Sequence, residues 1–332
     1  MNNTRIDVMA TTISGSIKDW GKVKQIVPLF NDNGYANVSL YSADSHKEAR
    51  DKTCECIKDG GRTIISAGGS GTFNAVLEGC CDSGVQLSEI TLGFLRKGSA
   101  DLIGKTLDMP DNIHEAIQVF ANSINTGMYI NCDVLLAKSE EGSAVPRHFV
   151  GYGGAEIFGE IPYFTENRYT KYYKGLLSQL FGDLGPFMTG ASLACIRKHL
   201  REIIGRKRKW KILVDNHEVS DNIYQAFIIV NGDLGKDLPL AKDVSLGSGD
   251  FYLFALRDLG VLKLTGQFKH TWNASVADES EKWGFEKYCI KESLELVPDI
   301  SGSFEVNVDG STMFCRKSVR FSICDRIKLI SR

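Results

Sequence analysis

The fold is decided by one glycine-rich stretch, Ser66-Ala67-Gly68-Gly69-Ser70-Gly71-Thr72-Phe73-Asn74. It follows an apolar segment typical of a strand, Arg62 to Ile65, and precedes a segment typical of a helix, Ala75 to Glu78. Glycines let backbone N–H groups come close to an anion, and the positive end of a helix dipole favours negative charge. The stretch therefore predicts a phosphate-binding turn and a nucleotide ligand, although a tight turn without a ligand would use the same glycines.

Two common phosphate-binding motifs do not fit this stretch. A P-loop closes with Lys followed by Ser or Thr, and the glycine run contains no lysine. The dinucleotide fingerprint requires a third glycine where Asn74 stands, and the acid about twenty positions on, Glu89, precedes a strand instead of ending one. A dinucleotide-dependent enzyme is therefore the least favoured function.

Composition and charge exclude several classes of protein. The chain has 332 residues and a net charge of −2, so a nucleic-acid partner is not predicted. Its nine cysteines are scattered without the CxxC spacing of a zinc site, and the N-terminus lacks the apolar core of a secretory signal. No apolar run is long enough to cross a bilayer. These features predict a cytoplasmic protein, for which peripheral membrane contact remains open.

Strands and helices alternate in the first part of the chain. Strands are predicted over 6–10, 37–41, 62–65 and 90–95, and helices over 22–30, 46–58 and 111–122, the last with Asp111 as its N-cap. Such alternation predicts a parallel sheet covered by helices, with ligands at the carboxyl ends of the strands. The glycine run and the segment Arg96-Lys97-Gly98-Ser99 would both lie at that edge.

From about Met128 the sequence is rich in β-forming runs separated by Gly, Asn-Gly and Asp-Gly, which predicts a second, mostly antiparallel β domain. The runs are 129–137, 148–152, 211–215, 223–230, 250–256, 293–297 and 304–308. A helical insertion is predicted over 170–181 and 193–204, and its aromatic stripe is either core or a lipid gate. The basic run 206–211 is interpreted as a solvated turn before a strand, with docking on an anionic membrane as the alternative.

Four landmarks in this order resemble the diacylglycerol kinase catalytic-domain family, which includes bacterial lipid kinases and sphingosine and ceramide kinases and is distantly related to NAD kinases. Gly68 to Asn74 resembles the family's GGDGTxNE loop, and Leu92 to Asp101 resembles its second nucleotide loop, G-x-x-P-x-G-T-x-N. Val230-Asn231-Gly232, followed by Ala241, Ser245-Leu246 and Gly249-Asp250-Phe251, resembles the middle of its lipid-binding domain. Val308-Asp309-Gly310 resembles its terminal DGE, so the likeness extends over most of the chain.

The resemblance implies an α/β nucleotide-binding domain, residues 1–127 completed by 325–332, followed by a β-sandwich lipid-binding domain, residues 128–324. ATP would lie in the cleft between the domains, and a lipid hydroxyl of diacylglycerol or sphingoid type would accept the phosphate. The nucleotide-binding residues carried over are Gly68, Gly69, Ser70, Gly71, Thr72, Asn74, Gly98 and Ser99. Arg96 and Lys97 are candidate cations near the phosphates, or solvated surface charges.

Several acids of the family are replaced in this chain. Ser70 stands for the loop aspartate, Ala75 for the following glutamate and Ser311 for the terminal glutamate, while Gly247-Ser248-Gly249 stands for Asp-Asp-Gly. Magnesium is held by carboxylates, and phosphoryl transfer gains from a base that accepts the hydroxyl proton. Asp309 is the candidate catalytic carboxylate and, with Asp101, a candidate metal ligand, although Asp-Gly is also a common hairpin turn. The need for Mg²⁺ therefore stays open.

Two functions follow from these residues. The first is a lipid kinase-like protein that binds ATP and transfers phosphate to a lipid, with an activity that the lost acids weaken or remodel. The alternative is a catalytically inactive pseudokinase that binds nucleotide or lipid as a sensor or scaffold. The sequence does not decide the acceptor lipid or the oligomeric state.

Overall fold

The computed structural model describes residues 3–12, 21–96, 102–140, 144–165, 192–198, 207–235, 238–272, 279–300 and 302–332. The chain forms two compact units: unit 1 is Met1–Val134 with Asp325–Arg332, and unit 2 is Leu135–Cys324. The predicted helical segment 170–181, and residues 199–204 of the second one, lie outside the described residues.

Unit 1 is built on a parallel sheet, as the alternation of strands and helices predicts. Its strands are β1 (Ile6–Thr11), β2 (Val38–Ala43), β3 (Thr63–Gly68) and β4 (Thr91–Arg96), and its helices are α1 (Ile26–Asp32), α2 (His46–Lys58), α3 (Ser70–Asp82), α4 (Leu102–Thr106) and α5 (Ile113–Thr126). The strand order is β4-β3-β1-β2, with every pair parallel. Residues 328 and 329 of the last strand add to β4, also in parallel. All six residues of β1 and all six of β3 are buried, so the sheet forms the core of the unit.

The helix ends of unit 1 follow from local capping. Ser45 caps α2 by accepting the N–H of Glu48 at 3.0 Å, and α2 spans the predicted residues 46–58. The prediction that Asp111 caps the helix 111–122, which corresponds to α5, is wrong. Asn112 is the cap, accepting the N–H groups of His114 and Glu115 at 2.9 and 3.3 Å. The predicted helix 22–30 is also interrupted, because residues 24 and 25 form a turn between the helical residues 21–23 and α1.

Unit 2 is mostly antiparallel, as predicted. Its strands are β5 (Ile130–Ser139, which begins in unit 1), β6 (Arg147–Phe149), β7 (Tyr152–Glu156), β8 (Lys209–Val214), β9 (His217–Val230), β10 (Phe251–Arg257), β11 (Phe285–Ile290), β12 (Ser293–Pro298), β13 (Phe304–Val308), β14 (Ser311–Cys315) and β15 (Val319–Leu329, which ends in unit 1). Its helices are α6 (Ile157–Thr165), α7 (192–198), α8 (Val261–Trp272) and α9 (Ser280–Trp283).

The strands of unit 2 pair in the order β14-β13-β7-β9-β8-β12-β15. The 14-residue strand β9 pairs with β8 along its first half and with β7 and β10 along its second half. Trp210 packs in the centre of the core, with ring centroids 5.3 Å from Phe227 and 5.0 Å from Phe304. The predicted run 148–152 is in fact divided between β6 and β7, and the strands β11, β14 and β15 were not predicted.

Candidate functional site

The turn between β3 and α3 is a single residue. Gly68 ends β3, Gly69 is the N-cap residue with an extended backbone (φ −95°, ψ −175°), and α3 begins at Ser70. The helix was expected to begin near Ala75, so this expectation is wrong by more than one turn of helix. Ser70, Gly71 and Thr72 therefore form the first turn of α3 rather than a loop ahead of it.

The three glycines differ in how much space surrounds them. A Cβ on Gly68 would lie 2.6 Å from Cβ of Thr72, and a Cβ on Gly71 would lie 2.8 Å from Cε1 of His46. A Cβ on Gly69 would meet nothing within 4 Å. Gly68 is therefore required by close packing, and a side chain at Gly71 would have to displace the exposed imidazole of His46, whereas the space around Gly69 is open.

In the described part of the chain, no side chain caps the first turn of α3 or neutralises its positive end. The helix has no side-chain N-cap and no acid in its first turn, whereas α2 has Ser45 and Glu48 for these purposes. Within the described part of the chain, the amide nitrogens of Ser70 and Gly71 have no hydrogen-bond acceptor. Such N–H groups, aligned with the helix dipole, are the physical requirement for anion binding.

Thr72 and Asn74 lie on the buried side of α3. Thr72 is fully buried, and its Oγ1 is 2.7 Å from Oγ1 of Thr11, which links the first turn of α3 to the end of β1. Asn74 is only 2% exposed. The structure thus gives Thr72 a packing role, and contact of either side chain with phosphate stays a prediction. Gly98, Ser99, Lys97 and Asp101 lie outside the described residues.

The Arg96 side chain is turned toward its own unit. It donates to the backbone carbonyl of Met109 at 3.0 Å and pairs with Asp111 at 3.2 Å, which is the actual role of the acid predicted as a helix cap. Arg96 lines an open depression at the carboxyl ends of β3 and β4. The other lining residues are Lys22, Val23, Ile26, Ala67, Leu95, Asp111 and Ile113.

Asp309 lies in the turn between β13 and β14, with a left-handed backbone (φ 44°) and no exposed surface. Its carboxylate accepts the backbone N–H groups of Val150, Gly151 and Tyr152 at 2.8, 3.2 and 2.8 Å. Burial raises the pKa of Asp309 to about 6, although the three N–H donors oppose the shift. Both carboxylate oxygens of Asp309 thus hold the backbone of residues 150–152 at the start of β7, which favours a structural role for Asp309. A catalytic or metal-binding role of Asp309 stays a prediction.

Among the residues that the structure describes, no group of three or more His, Cys, Asp or Glu side chains is arranged to hold a metal ion. A magnesium ion that is bound through nucleotide phosphates needs only one or two carboxylates. The carboxylate oxygens of Asp309 already accept backbone hydrogen bonds.

A buried charge cluster in unit 2 was missed by the sequence analysis. Glu156, buried with φ 58°, lies 2.5 Å from Nζ of Lys198, accepts Nε1–H of Trp210 at 2.8 Å and lies 3.8 Å from Arg208. Burial alone would raise the pKa of Glu156, but Lys198, Arg208 and the hydrogen bonds outweigh it and lower the pKa below its usual value. Because Lys198 is 42 residues away along the chain, no local pattern could indicate this pair.

The basic run before β8 is paired with acids. Lys209 lies 2.7 Å from Asp221 and Lys211 lies 3.2 Å from Glu218, while Lys207 pairs with Asp258. Residues 206–211 were predicted as a turn before a strand. This prediction is wrong for residues 209–211, because β8 already begins at Lys209. Among the described helices, none has the length and apolar character needed to cross a bilayer.

Part of the chain matches the sequence model of a known protein family. Residues 6–130 match the family model of the diacylglycerol kinase catalytic domain. The family resemblance is confirmed. The matched segment contains the whole of β1 to α5 and therefore the glycine turn. No sequence among curated proteins matches the chain.

Solved structures share the fold over the full chain. One is a diacylglycerol kinase from Bacillus anthracis str. Sterne, 14% identical, with a TM-score of 0.66 and coverage of 100% of this chain and 98% of the other. Two further structures from the same organism, each named as a candidate diacylglycerol kinase, are 15% and 16% identical with TM-scores of 0.69 and 0.67 and the same coverage. At these identities the likeness shows a lipid kinase-like fold.

Proposed function

We propose that this protein is a lipid kinase-like phosphotransferase that binds ATP at the glycine turn and transfers phosphate to a hydroxyl of a diacylglycerol or sphingoid-type lipid. The observation that carries the proposal is the first turn of α3, where the amides of Ser70 and Gly71 face no acceptor within the described chain. This turn lies inside the segment that matches the diacylglycerol kinase catalytic domain.

The charge of the turn supports the binding of a polyphosphate. Ser70 replaces the acid that the family carries, and α3 has no acid in its first turn. A carboxylate at this position would repel a phosphate unless a metal ion lay between them. The turn of this chain therefore offers amide donors and a helix dipole without that repulsion, which favours binding of the nucleotide without a metal.

The same replacements reduce what the chain can do to a bound nucleotide. A serine hydroxyl does not accept a proton at neutral pH, and general base catalysis contributes roughly 10²- to 10⁴-fold to such reactions. Asp309 has a pKa of about 6, but its oxygens are engaged with backbone N–H groups. We therefore propose a transfer activity that is slow and limited by the missing acids.

A second candidate is a pseudokinase that binds nucleotide or lipid without transfer. It is favoured by one specific observation: the retained acid of the terminal motif, Asp309, holds the segment from Val150 to Tyr152. In this case the glycine turn would bind nucleotide as a signal, and the β domain would respond to it.

Two measurements separate these functions. Titration with ADP and ATP, with and without Mg²⁺, tests binding to the unmodified chain and to the variants Gly69→Ala and Gly69→Val, whose side chains enter open space above the amides. We expect affinity to fall from Gly to Ala to Val while the melting temperature without nucleotide stays the same. Loss of binding with a lowered melting temperature would point instead to misfolding.

The second measurement uses labelled ATP with vesicles that contain diacylglycerol or sphingosine. Label in the lipid supports the phosphotransferase, and nucleotide binding without label supports the pseudokinase. If the unmodified chain binds neither ADP nor ATP, or if Gly69→Val binds them equally well, the proposed site is wrong.

A further inference from the structure

His46 lies against the glycine turn, although the sequence analysis gave it no role. It is the first residue of α2, which follows the N-cap Ser45. A Cβ on Gly71 would lie 2.8 Å from Cε1 and 3.1 Å from Nε2 of its imidazole. Helices α2 and α3 pack side by side. The positive ends of two helices are thus in contact at His46 and Gly71.

The distances allow one oxygen atom to bind both residues. Standard bond lengths place a Cβ about 2.5 Å from the amide nitrogen of its own residue, so Nε2 of His46 lies at most about 5.6 Å from the Gly71 nitrogen. Hydrogen bonds of about 2.9 Å let a single acceptor serve two donors up to about 5.8 Å apart. A phosphate oxygen on the Gly71 amide is therefore within reach of the imidazole.

The imidazole has no competing partner in the described part of the chain, where it makes no hydrogen bond or ion pair. Partial burial lowers the pKa of His46, which favours the neutral form of the ring. Two converging helix N-termini also disfavour a cation and favour an anion.

The described charged groups around His46 lie on α2 and on the segment ahead of it, and their partners include Glu78 and Asp82 on α3. Lys47 pairs with Asp51 at 2.5 Å, Arg50 lies 3.5 Å from Glu78 on α3 and also binds Asp82, and Asp44 accepts the hydroxyl of Thr12 at 2.8 Å. Glu48 accepts the N–H of Asp44 at 2.7 Å. Among the described residues, the ends of the neighbouring elements carry no charge: they are Thr11 on β1, Ala43 on β2, and Ser70 and Gly71 on α3.

We infer that His46 is a phosphate-binding residue of the glycine turn and takes up a proton from solvent when a polyphosphate binds there. This inference rests on the nucleotide site proposed above. The bound anion stabilises the imidazolium, which then donates Nε2–H to the oxygen held by the Gly71 amide. At most one proton is taken up per site, and nucleotide affinity therefore rises as the pH falls.

The test is calorimetric titration with ADP between pH 6 and pH 8, in buffers of different ionisation enthalpy, which counts the protons taken up. ADP itself takes up or releases protons, so the quantity of interest is the difference between the unmodified chain and His46→Gln. We expect the unmodified chain to take up more protons, by a fraction of one, and to show the steeper fall in affinity with rising pH, at most tenfold per pH unit. The affinity loss in His46→Gln should be larger at pH 6 than at pH 8.

A second variant covers the case in which His46→Gln fails to fold. His46→Lys carries a permanent charge, so it should bind ADP at pH 8 more tightly than the unmodified chain and without the extra proton uptake. Equal proton counts in the unmodified chain and either variant would overturn the role of His46. If Gly69→Val abolishes ADP binding in the same experiments, the nucleotide site itself stands and only the role of His46 is lost. An unmodified chain that binds no ADP overturns both.

Discussion

Replacing Lys198 by methionine would leave the Glu156 carboxylate buried without its nearest cation. The side chains of Lys198 and Glu156 are 10% and 5% exposed, and Nζ lies 2.5 Å from the carboxylate. Nζ also donates to the backbone carbonyl of Tyr224 at 3.1 Å. Removing one partner of a buried ion pair costs about 3–5 kcal/mol, mainly because the remaining charge stays out of water.

Arg208 places the expected loss at the lower end of that range. Its guanidinium is 3.8 Å from Glu156, and Trp210 donates a further hydrogen bond to the carboxylate at 2.8 Å. With an effective dielectric constant of about 20, opposite unit charges attract by about 7 kcal/mol at 2.5 Å and about 4 kcal/mol at 3.8 Å. About 40% of the summed attraction to the two cations thus remains through Arg208, and we expect Lys198→Met to lower the free energy of unfolding by about 3 kcal/mol.

Urea denaturation followed by circular dichroism measures this loss in Lys198→Met, Glu156→Gln and the double variant. The double variant should lose clearly less than the sum of the two single losses, because it leaves no unpaired carboxylate. Lys209→Met is the matched control: its pair with Asp221 is 43% and 34% exposed, so the change should cost less than about 1 kcal/mol. A loss below about 1 kcal/mol in Lys198→Met, or additive single losses, would refute the reasoning.

Three further changes test single contacts. Folding raises the pKa of Asp309 from 3.8 to about 6, so the folded state binds the proton more tightly and stability falls by about 2 kcal/mol as the pH rises from 4 to 7. Asp309→Asn should remove this part of the pH dependence in urea denaturation, and an equal pH dependence in the two proteins would contradict it. In Gly68→Val the new Cβ would lie 2.6 Å from Cβ of Thr72, so the free energy of unfolding should fall by about 1–3 kcal/mol. In Gly69→Val the new side chain enters open space, so the free energy of unfolding, measured by calorimetry, should stay the same. Ser70→Asp adds an acid to the first turn of α3 and should stabilise the protein by about 0.3–1 kcal/mol while weakening ADP binding without metal, and tighter binding would argue against an open anion site.

The sequence predicted correctly the bounds of elements that end at capping or turn residues. The helix α2 has the predicted bounds because Ser45 caps its start and Gly60, with φ 92°, follows its end. The strand β13 also has the predicted bounds, and the Asp309-Gly310 turn that follows it was recognisable from its residues. In each case the residues that set the boundary lie within a few positions of it.

Contacts between distant segments explain what the sequence did not show. Glycines are poor helix formers, so propensity placed Ser70 and Gly71 in a loop, whereas packing against Thr11 and His46 sets the start of α3 at Ser70. Asp309 was expected to act in catalysis because it is the retained acid of the terminal family motif. Its hydrogen bonds to N–H groups about 160 positions earlier in the chain have no local signal in the sequence.

The strand β11 was missed for a different reason. Only its first and last residues, Phe285 and Ile290, are buried, and the charged residues Glu286 and Lys287 follow one another between them. No apolar run therefore marks the segment, and its pairing with β10 identifies it as a strand.

The central claim is that the main-chain amides at the start of α3 hold a polyphosphate. A crystal structure of the protein with ADP tests it most directly. We expect phosphate oxygens at about 2.9 Å from the amide nitrogens of Ser70 and Gly71, above the open face of Gly69. Phosphates bound elsewhere, with the Ser70 and Gly71 amides turned to protein acceptors, would contradict the claim.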